Sequence, residues 1–361
     1  MVLALFITIP MLSCRAKPEE ALIEEPEQKE VKEEVKQEEA TEEEEEPAVE
    51  EEKISSNINM LSGLELSGNV QNTRPLAIMV QNSPQARPHS GLIKADIVFE
   101  AVAEAGVTRF VTLFSSYDAE IIGPVRSARI YFAEIARSFD PVYTFWGTYP
   151  GAYDVIKTMD MDVLDANSSA YVNHTTAGWR DSTRSNALEH TAFIDTYGIK
   201  EDAQLFGYSL QGGQSPMQFK VDAPYQERGD MSEITVDFSY DQYQAQFLYD
   251  IDSNQYLKLL AQEPHIDFET GQQLSLNNVI VLITDIDGPV SSSGHMVIRT
   301  TGSHQEGKAF YFMDGQLIEG TWGRKDIYSP FQFHDSEDNP VQFNRGQTWV
   351  CIVQSLDRVS Y

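Results

Sequence analysis

The sequence predicts an α/β N-terminal domain followed by a mostly antiparallel β C-terminal domain, α+β overall. Strand and helix signals alternate between about residues 76 and 159. Short apolar strands with recurrent turn signals dominate from Tyr208 onward. The 361 residues, 41% of them hydrophobic, are enough for two cores.

The chain opens on an almost wholly apolar run, Val2 to Leu12. It is too short to cross a bilayer, which takes about 20 residues, and it suits the core of a signal peptide. In Met11-Leu12-Ser13-Cys14 a small residue precedes a cysteine, as in a bacterial lipobox. Residues 1–13 are therefore read as a signal peptide and Cys14 as a lipidation site carrying palmitate-type chains. Two acyl chains anchor a protein to a membrane where one does not. No Lys or Arg precedes Cys14, a departure from the usual basic start.

Residues 14–56 read as a disordered acidic tether. Positions 15–53 hold 18 Glu against 6 Lys plus Arg, a net of −12 out of the formal −30 of the whole chain. With no aromatic residue and no periodic apolar face, the segment cannot offset the entropy of ordering. The acidic balance also excludes nucleic acid as a general partner, because phosphate backbones require a basic face.

Residues 57–207 form the α/β part. Leu76 to Val80 reads as a buried strand, followed by a Pro-punctuated loop. Asp96 to Val102 and Val107 to Phe114 make a hairpin across the turn Glu104-Ala105-Gly106. Ser127 is the expected N-cap of a helix with its apolar stripe on Ile130, Phe132, Ala133, Ile135, Ala136 and Phe139, which Pro141 ends. Val142 to Trp146 is a further strand, and Gly151 to Met159 a short helix.

Four tracts in this order carry a resemblance: Ala86-Arg87-Pro88-His89-Ser90-Gly91-Leu92, Ala95 to Glu100, Gly106 to Phe110, and Gly123 to Arg129. Together they resemble the YerB-like bacterial lipoprotein family, over roughly residues 70 to 355. The resemblance implies an envelope lipoprotein with two folded parts, and it implies no activity. The family's Pro-His-Asn tract aligns with Leu188-Glu189-His190-Thr191, where Pro and Asn are missing.

Arg109, Arg126 and Arg129 are the foremost site candidates. They cluster in an acidic chain, two of them at an expected helix N-terminus, where free N–H groups and the helix dipole favour an anion. A guanidinium grips phosphate or carboxylate through paired hydrogen bonds. The competing reading is internal pairing with Asp96, Glu100 or Glu104. Glu100, Glu104, His89 and His190 are the candidate acids and bases. Trp146 and Tyr149, in an aromatic loop between strand and helix, are candidates for stacking a ligand. No His pair shows metal-ligand spacing, and no Walker loop, dinucleotide fingerprint or Gly-x-Ser-x-Gly occurs, so neither metal nor cofactor is expected.

Residues 208–361 form the mainly β part. Strands are expected at Met217–Val221, Ile234–Phe238, Ala245–Asp250, Gln255–Leu259, Val279–Ile283, Met296–Arg299, Ala309–Phe312, Leu317–Trp322 and Thr348–Val353. Cys351, in the last of these, reads as a buried, inert thiol.

The functional expectation is a membrane-anchored extracytoplasmic lipoprotein that binds an anionic cell-wall or lipid-linked ligand. One alternative is an enzyme acting on envelope glycan or lipid-linked phosphate, whose layout resembles LytR–CpsA–Psr phosphotransferases, but with Phe110-Val111 where an acid is expected after the strand arginine. The other is a scaffold that docks a protein through its C-terminal part. Catalysis is left open.

Overall fold

The main strands are β1 (Leu76–Gln81), β2 (Ile97–Glu104), β3 (Val107–Phe114), β4 (Val142–Phe145), β5 (Asp162–Asp165) and β6 (Asn173–His174) in the first half. In the second half they are β7 (Glu233–Val236), β8 (Ala245–Asp250), β9 (Gln255–Leu260), β10 (Asn278–Ile283), β11 (Gly302–Met313), β12 (Gln316–Arg324), β13 (Gln332–Asp335) and β14 (Thr348–Val353). The computed structural model describes residues 57–67, 72–167, 170–184 and 187–361, apart from the side chains of residues 304–306. The expected signal peptide, Cys14 and the whole of the tether lie outside the described residues.

Eleven strands form one mixed sheet in the order β13-β12-β11-β10-β14-β2-β3-β1-β4-β5-β6. The two halves of the chain thus share a sheet. Strand β14, close to the C-terminus, is seated between β10 and β2 and runs parallel to both. A strand with parallel neighbours is covered on both faces and reads as an unbroken apolar run. That is why Trp349-Val350-Cys351-Ile352-Val353 shows no alternation and is buried throughout. Cys351 is a buried free cysteine, as expected, and burial holds its thiol well above the usual range.

The molecule is mostly β. Among the described residues there are three α-helices: α1 (Ile130–Arg137), α2 (Pro150–Lys157) and α3 (Thr196–Leu205). The first half is α/β only in part. Strands β1, β4, β5 and β6 run parallel, with α1 and α2 in their connections, but β3 lies between β1 and β2 and pairs antiparallel with both. Strand β3 does not present one wet face, despite its alternation, because it is buried from Thr108 to Phe114.

The hairpin β2–β3 forms as expected, with Ile97 opposite Leu113 and Ala101 opposite Arg109. Its two-residue turn places Ala105 at φ 48° and Gly106 at φ 83°, the handedness that fits a twisted hairpin. A Cβ on Gly106 would also lie 2.6 Å from the Tyr240 ring. Gly106→Ala is expected to cost about 1–2 kcal/mol from the left-handed backbone alone. An unchanged denaturation midpoint would contradict that.

Helix α1 begins two residues later than expected. Arg129 is its N-cap, with extended backbone (φ −131°, ψ 154°) and no side-chain cap, and Ser127 does not cap it. Backbone bonds of Trp146 N to Arg126 O (3.0 Å) and Ala128 N to Gly147 O (3.1 Å) hold residues 126–128 extended. The Ser127 hydroxyl donates to Trp146 O instead, at 3.1 Å. The helix ends at Arg137 with Ser138 as its C-cap, and the turn that follows closes with Asp140 at φ 48° before Pro141.

A second, six-stranded antiparallel sheet has β7, β8 and β9 at its centre. Strand β9 alternates, with Tyr256, Lys258 and Leu260 inward. Two expected strands shrink to pairs of residues: Gln218–Phe219 pairs with Gln342–Phe343, and Val297–Ile298 with Ile286–Asp287.

Candidate functional site

The three predicted arginines converge at the end of the β2–β3 hairpin, around Glu104. Arg109, in β3, donates Nη2 to Glu104 Oε1 and Nη1 to the Ser127 carbonyl at 2.6 Å. Arg129 donates Nη2 to the same Glu104 oxygen at 2.9 Å and Nη1 to Ala128 O at 2.6 Å. Both guanidiniums are buried, so the internal pairing is made, and its acid is Glu104. Arg126 is half-buried and donates to the Glu189 carbonyl at 3.1 Å. Arg180 lies over the Trp146 ring, 4.6 Å from its centroid.

One carboxylate oxygen thus serves two guanidiniums. Arg109, Arg126, Arg129 and Arg180 bring four positive charges, against Glu104 and the exposed Glu189. Burial, and then repulsion from Arg129, lowers Arg109 to about 10, which keeps it charged at neutral pH. Burial also lowers Arg126, and the Glu104 and Glu189 carboxylates pull it back up. The Nε atoms of Arg109 and Arg129 and Oε2 of Glu104 are buried without a hydrogen-bond partner among the described residues. The candidate stacking residues border this cluster. Trp146 Nε1 donates to Asn167 Oδ1 at 3.1 Å, and Tyr149 stacks on His295 with centroids 5.2 Å apart.

The candidate bases separate into two places. Glu104 belongs to the arginine cluster. Glu100 and His89 belong to a sealed polar cluster where β2, β9 and β14 meet. Glu100 is fully buried and receives Thr108 Oγ1 (3.0 Å), Asn82 Nδ2 (3.1 Å) and Trp349 Nε1 (3.1 Å). Lys258 Nζ lies 3.8 Å from Glu100 Oε2, and its charge faces the rings of Trp349 (4.5 Å) and Phe247 (5.3 Å). Aromatic faces substitute in part for the water a buried ammonium lacks. Burial raises the Glu100 carboxyl against the pull of Lys258, and lowers the Lys258 ammonium against the pull of Glu100.

His89 and His265 form a buried pair, with Nδ1 of the first 2.9 Å from Nε2 of the second. His89 Nε2 faces Gln81 O at 2.8 Å and must donate to it. Burial lowers His89 to about 3 and His265 well below its usual value, so both rings are neutral at pH 7. His265 therefore donates from Nε2 to His89. Both Nε2–H groups are thus engaged inside the cluster. His190, on the turn Leu188–His190, sits 3.0 Å from the Gln81 side-chain oxygen, and burial lowers it too. Gln81 joins the two histidine neighbourhoods by its backbone and its side chain.

Lys258, His265 and Arg180 were not singled out from the sequence. Lys258 had a signal, since it shares the phase of Tyr256 and Leu260 in an alternating strand. His265 and Arg180 had none, because their partners lie far away in the chain.

A β-rich protein of two interleaved segments, with a sealed ionic cluster between them and a surplus of arginine at one hairpin end, is the class that fold and site define. The chain belongs to the DUF3048 family of proteins of unknown function. Residues 61–209 match the N-terminal domain and residues 234–350 the C-terminal domain. It is 30% identical over 309 residues to the Bacillus subtilis (strain 168) protein called "Putative lipoprotein YerB", covering 83% of this chain and 87% of that one. The crystal structure of YerB from Bacillus subtilis matches with a TM-score of 0.72 and 29% identity, over 84% of this chain and 98% of that one. The family read from the four sequence tracts is therefore the family to which the chain belongs.

Proposed function

We propose that this protein is a lipoprotein, anchored through Cys14 at the extracytoplasmic face of the membrane, that binds an anionic envelope ligand at the arginine cluster. The name of the Bacillus relative supports the anchor, together with the lipobox-like Met11-Leu12-Ser13-Cys14. One observation carries the ligand reading: four guanidiniums meet two carboxylates inside a chain of net charge −30. Such a local surplus attracts a phosphate or carboxylate, which would complete what Glu104 serves in part. The N-terminus of α1 adds its free N–H groups beside Arg129.

Catalysis finds less support. Glu100 is sealed from solvent, Glu104 is held by two arginines, and His89 has both nitrogens engaged.

Arg126 and Arg180 are the residues to substitute, because neither holds the buried pairing together. In Arg126→Gln/Arg180→Gln, binding to isolated wall material is expected to fall by about tenfold or more, since each charge-assisted bond contributes about 1.5–3 kcal/mol. The unfolding midpoint should stay close to that of the unsubstituted protein. Equal retention of both forms on wall material, measured at low ionic strength, would rule the ligand site out.

A further inference from the structure

A pocket of about 400 Å³ opens where the tract Arg87-Pro88-His89 meets the end of β9. That volume lies within the range of small-ligand sites, about 300–1,000 Å³. The turn Ala261-Gln262, with φ 55° and 68°, folds the chain back so that Glu263 pairs with Leu260 and Pro264 with Leu259. Leu260, Ala261, Pro264 and Ile266 then line the pocket together with Pro88, which makes its wall largely apolar. It shares no residue with the arginine cluster. Burial keeps His89 and His265 neutral, so of the lining residues only Arg87 and Glu263 are charged at neutral pH.

The Arg87 guanidinium is held in place. Nε donates to Asn82 Oδ1 at 3.1 Å, and Nη2 donates to Asn82 O at 2.9 Å and to Gln242 O at 2.7 Å. The group lies 5.6 Å from the centroid of the Tyr243 ring. All three acceptors are neutral, and among the described residues Arg87 pairs with no carboxylate. The bond to Gln242 carries the guanidinium to the Ala261 side of the pocket, where Gln244 O accepts from Ala261 N at 2.9 Å. Nη1 makes no hydrogen bond among the described residues. It is open to solvent, unlike the buried Nε atoms of Arg109 and Arg129.

A fixed guanidinium with a free N–H edge beside an apolar wall defines its complement. The side chain is already ordered, so a ligand that meets it loses little to rotamer freezing. A single free edge suits a monoanion. A phosphate dianion would need further donors in place of its water, and the lining holds no second cation. Glu263 is exposed, so water screens its repulsion.

We propose that this pocket binds a monocarboxylate carried on a short aliphatic body, with Arg87 Nη1 donating to the carboxylate and Leu260, Pro264 and Ile266 covering the body. A free aliphatic acid and the C-terminal residue of a peptide offer the same chemistry.

The test is calorimetric titration of the full chain with hexanoate and, separately, with Nα-acetyl-leucine. Binding of hexanoate alone assigns the site to free acids, binding of Nα-acetyl-leucine alone assigns it to peptide C-termini, and binding of both assigns it to either. Hexanamide has the same body without the charge, and is expected to bind about tenfold more weakly than hexanoate or worse. Arg87→Met keeps an aliphatic stem beside Tyr243 but removes the donor, and is expected to weaken the binding of either acid by about tenfold or more. Ile266→Glu supplies a tethered carboxylate without touching Arg87, and is expected to abolish binding of both acids even if Arg87→Met proves unstable. The proposal is overturned if the unsubstituted protein binds neither acid, if hexanamide binds as tightly as hexanoate, if Arg87→Met folds and binds as tightly, or if Ile266→Glu leaves binding intact.

Discussion

Lys258→Met is expected to destabilise the protein by about 3–5 kcal/mol, the usual cost of leaving one member of a buried ion pair behind. The residue left behind is Glu100, fully buried, with Trp349, Thr108 and Asn82 still donating to it. The loss should depend on pH, with a definite sign. Burial already raises the Glu100 carboxyl, and removing the Lys258 charge that pulls it down raises it further. A carboxyl whose folded pKa lies above its unfolded value, about 4.3, stabilises the fold fully below that value and loses the contribution as pH rises through the folded pKa. The deficit of Lys258→Met against the unsubstituted protein should therefore be largest near about pH 8 and shrink toward about pH 5. Adding Glu100→Gln should recover most of the loss, because two neutral partners leave no charge stranded. Denaturant titrations of both variants at the two pH values decide it. A deficit that does not change with pH would mean that Glu100 is not ionised beside Lys258.

Glu104→Gln is the second large effect. Arg109 and Arg129 each lose the carboxylate that alone pairs with them among the described residues, while both stay buried. The expected cost is about 2–4 kcal/mol, below the upper end for a fully buried pair because Glu104 retains 21% side-chain exposure. The same variant tests the ligand reading. A ligand that binds only the folded state stabilises it by an amount that grows with concentration over Kd, about 2.7 kcal/mol at a hundredfold excess. If the arginine cluster takes a phosphate, pyrophosphate should restore more stability to Glu104→Gln than it adds to the unsubstituted protein. An equal shift in both, read from the unfolding midpoint, would mean that the cluster serves only its internal pairing.

Legibility in the sequence followed the distance between partners. The β2–β3 hairpin was legible because its strands and two-residue turn are contiguous, and the turn handedness fits Ala105-Gly106. Thr348–Val353 was legible as a strand from its apolar run, and that strand is β14. The apparent N-cap at Ser127 misled, because capping preference is local whereas the bonds that keep residues 126–128 extended come from Trp146 and Gly147. The clustering of Arg109, Arg126 and Arg129 could be read from the sequence, and Glu104 stood among its three candidate acids. The pairing of Glu100 with Lys258 spans more than 150 positions and could not.

By itself the amino-acid sequence determined the family, the β-rich character of the C-terminal half and the presence of a charged hairpin end, since each rests on contiguous patterns. Tertiary structure decided that the two halves share one sheet, that Glu104 holds two arginines, and that Lys258 turns inward beside Glu100. Those outcomes depend on which strand lies beside which, and strand order is set by burial summed over the whole sheet, a quantity no short stretch of sequence carries.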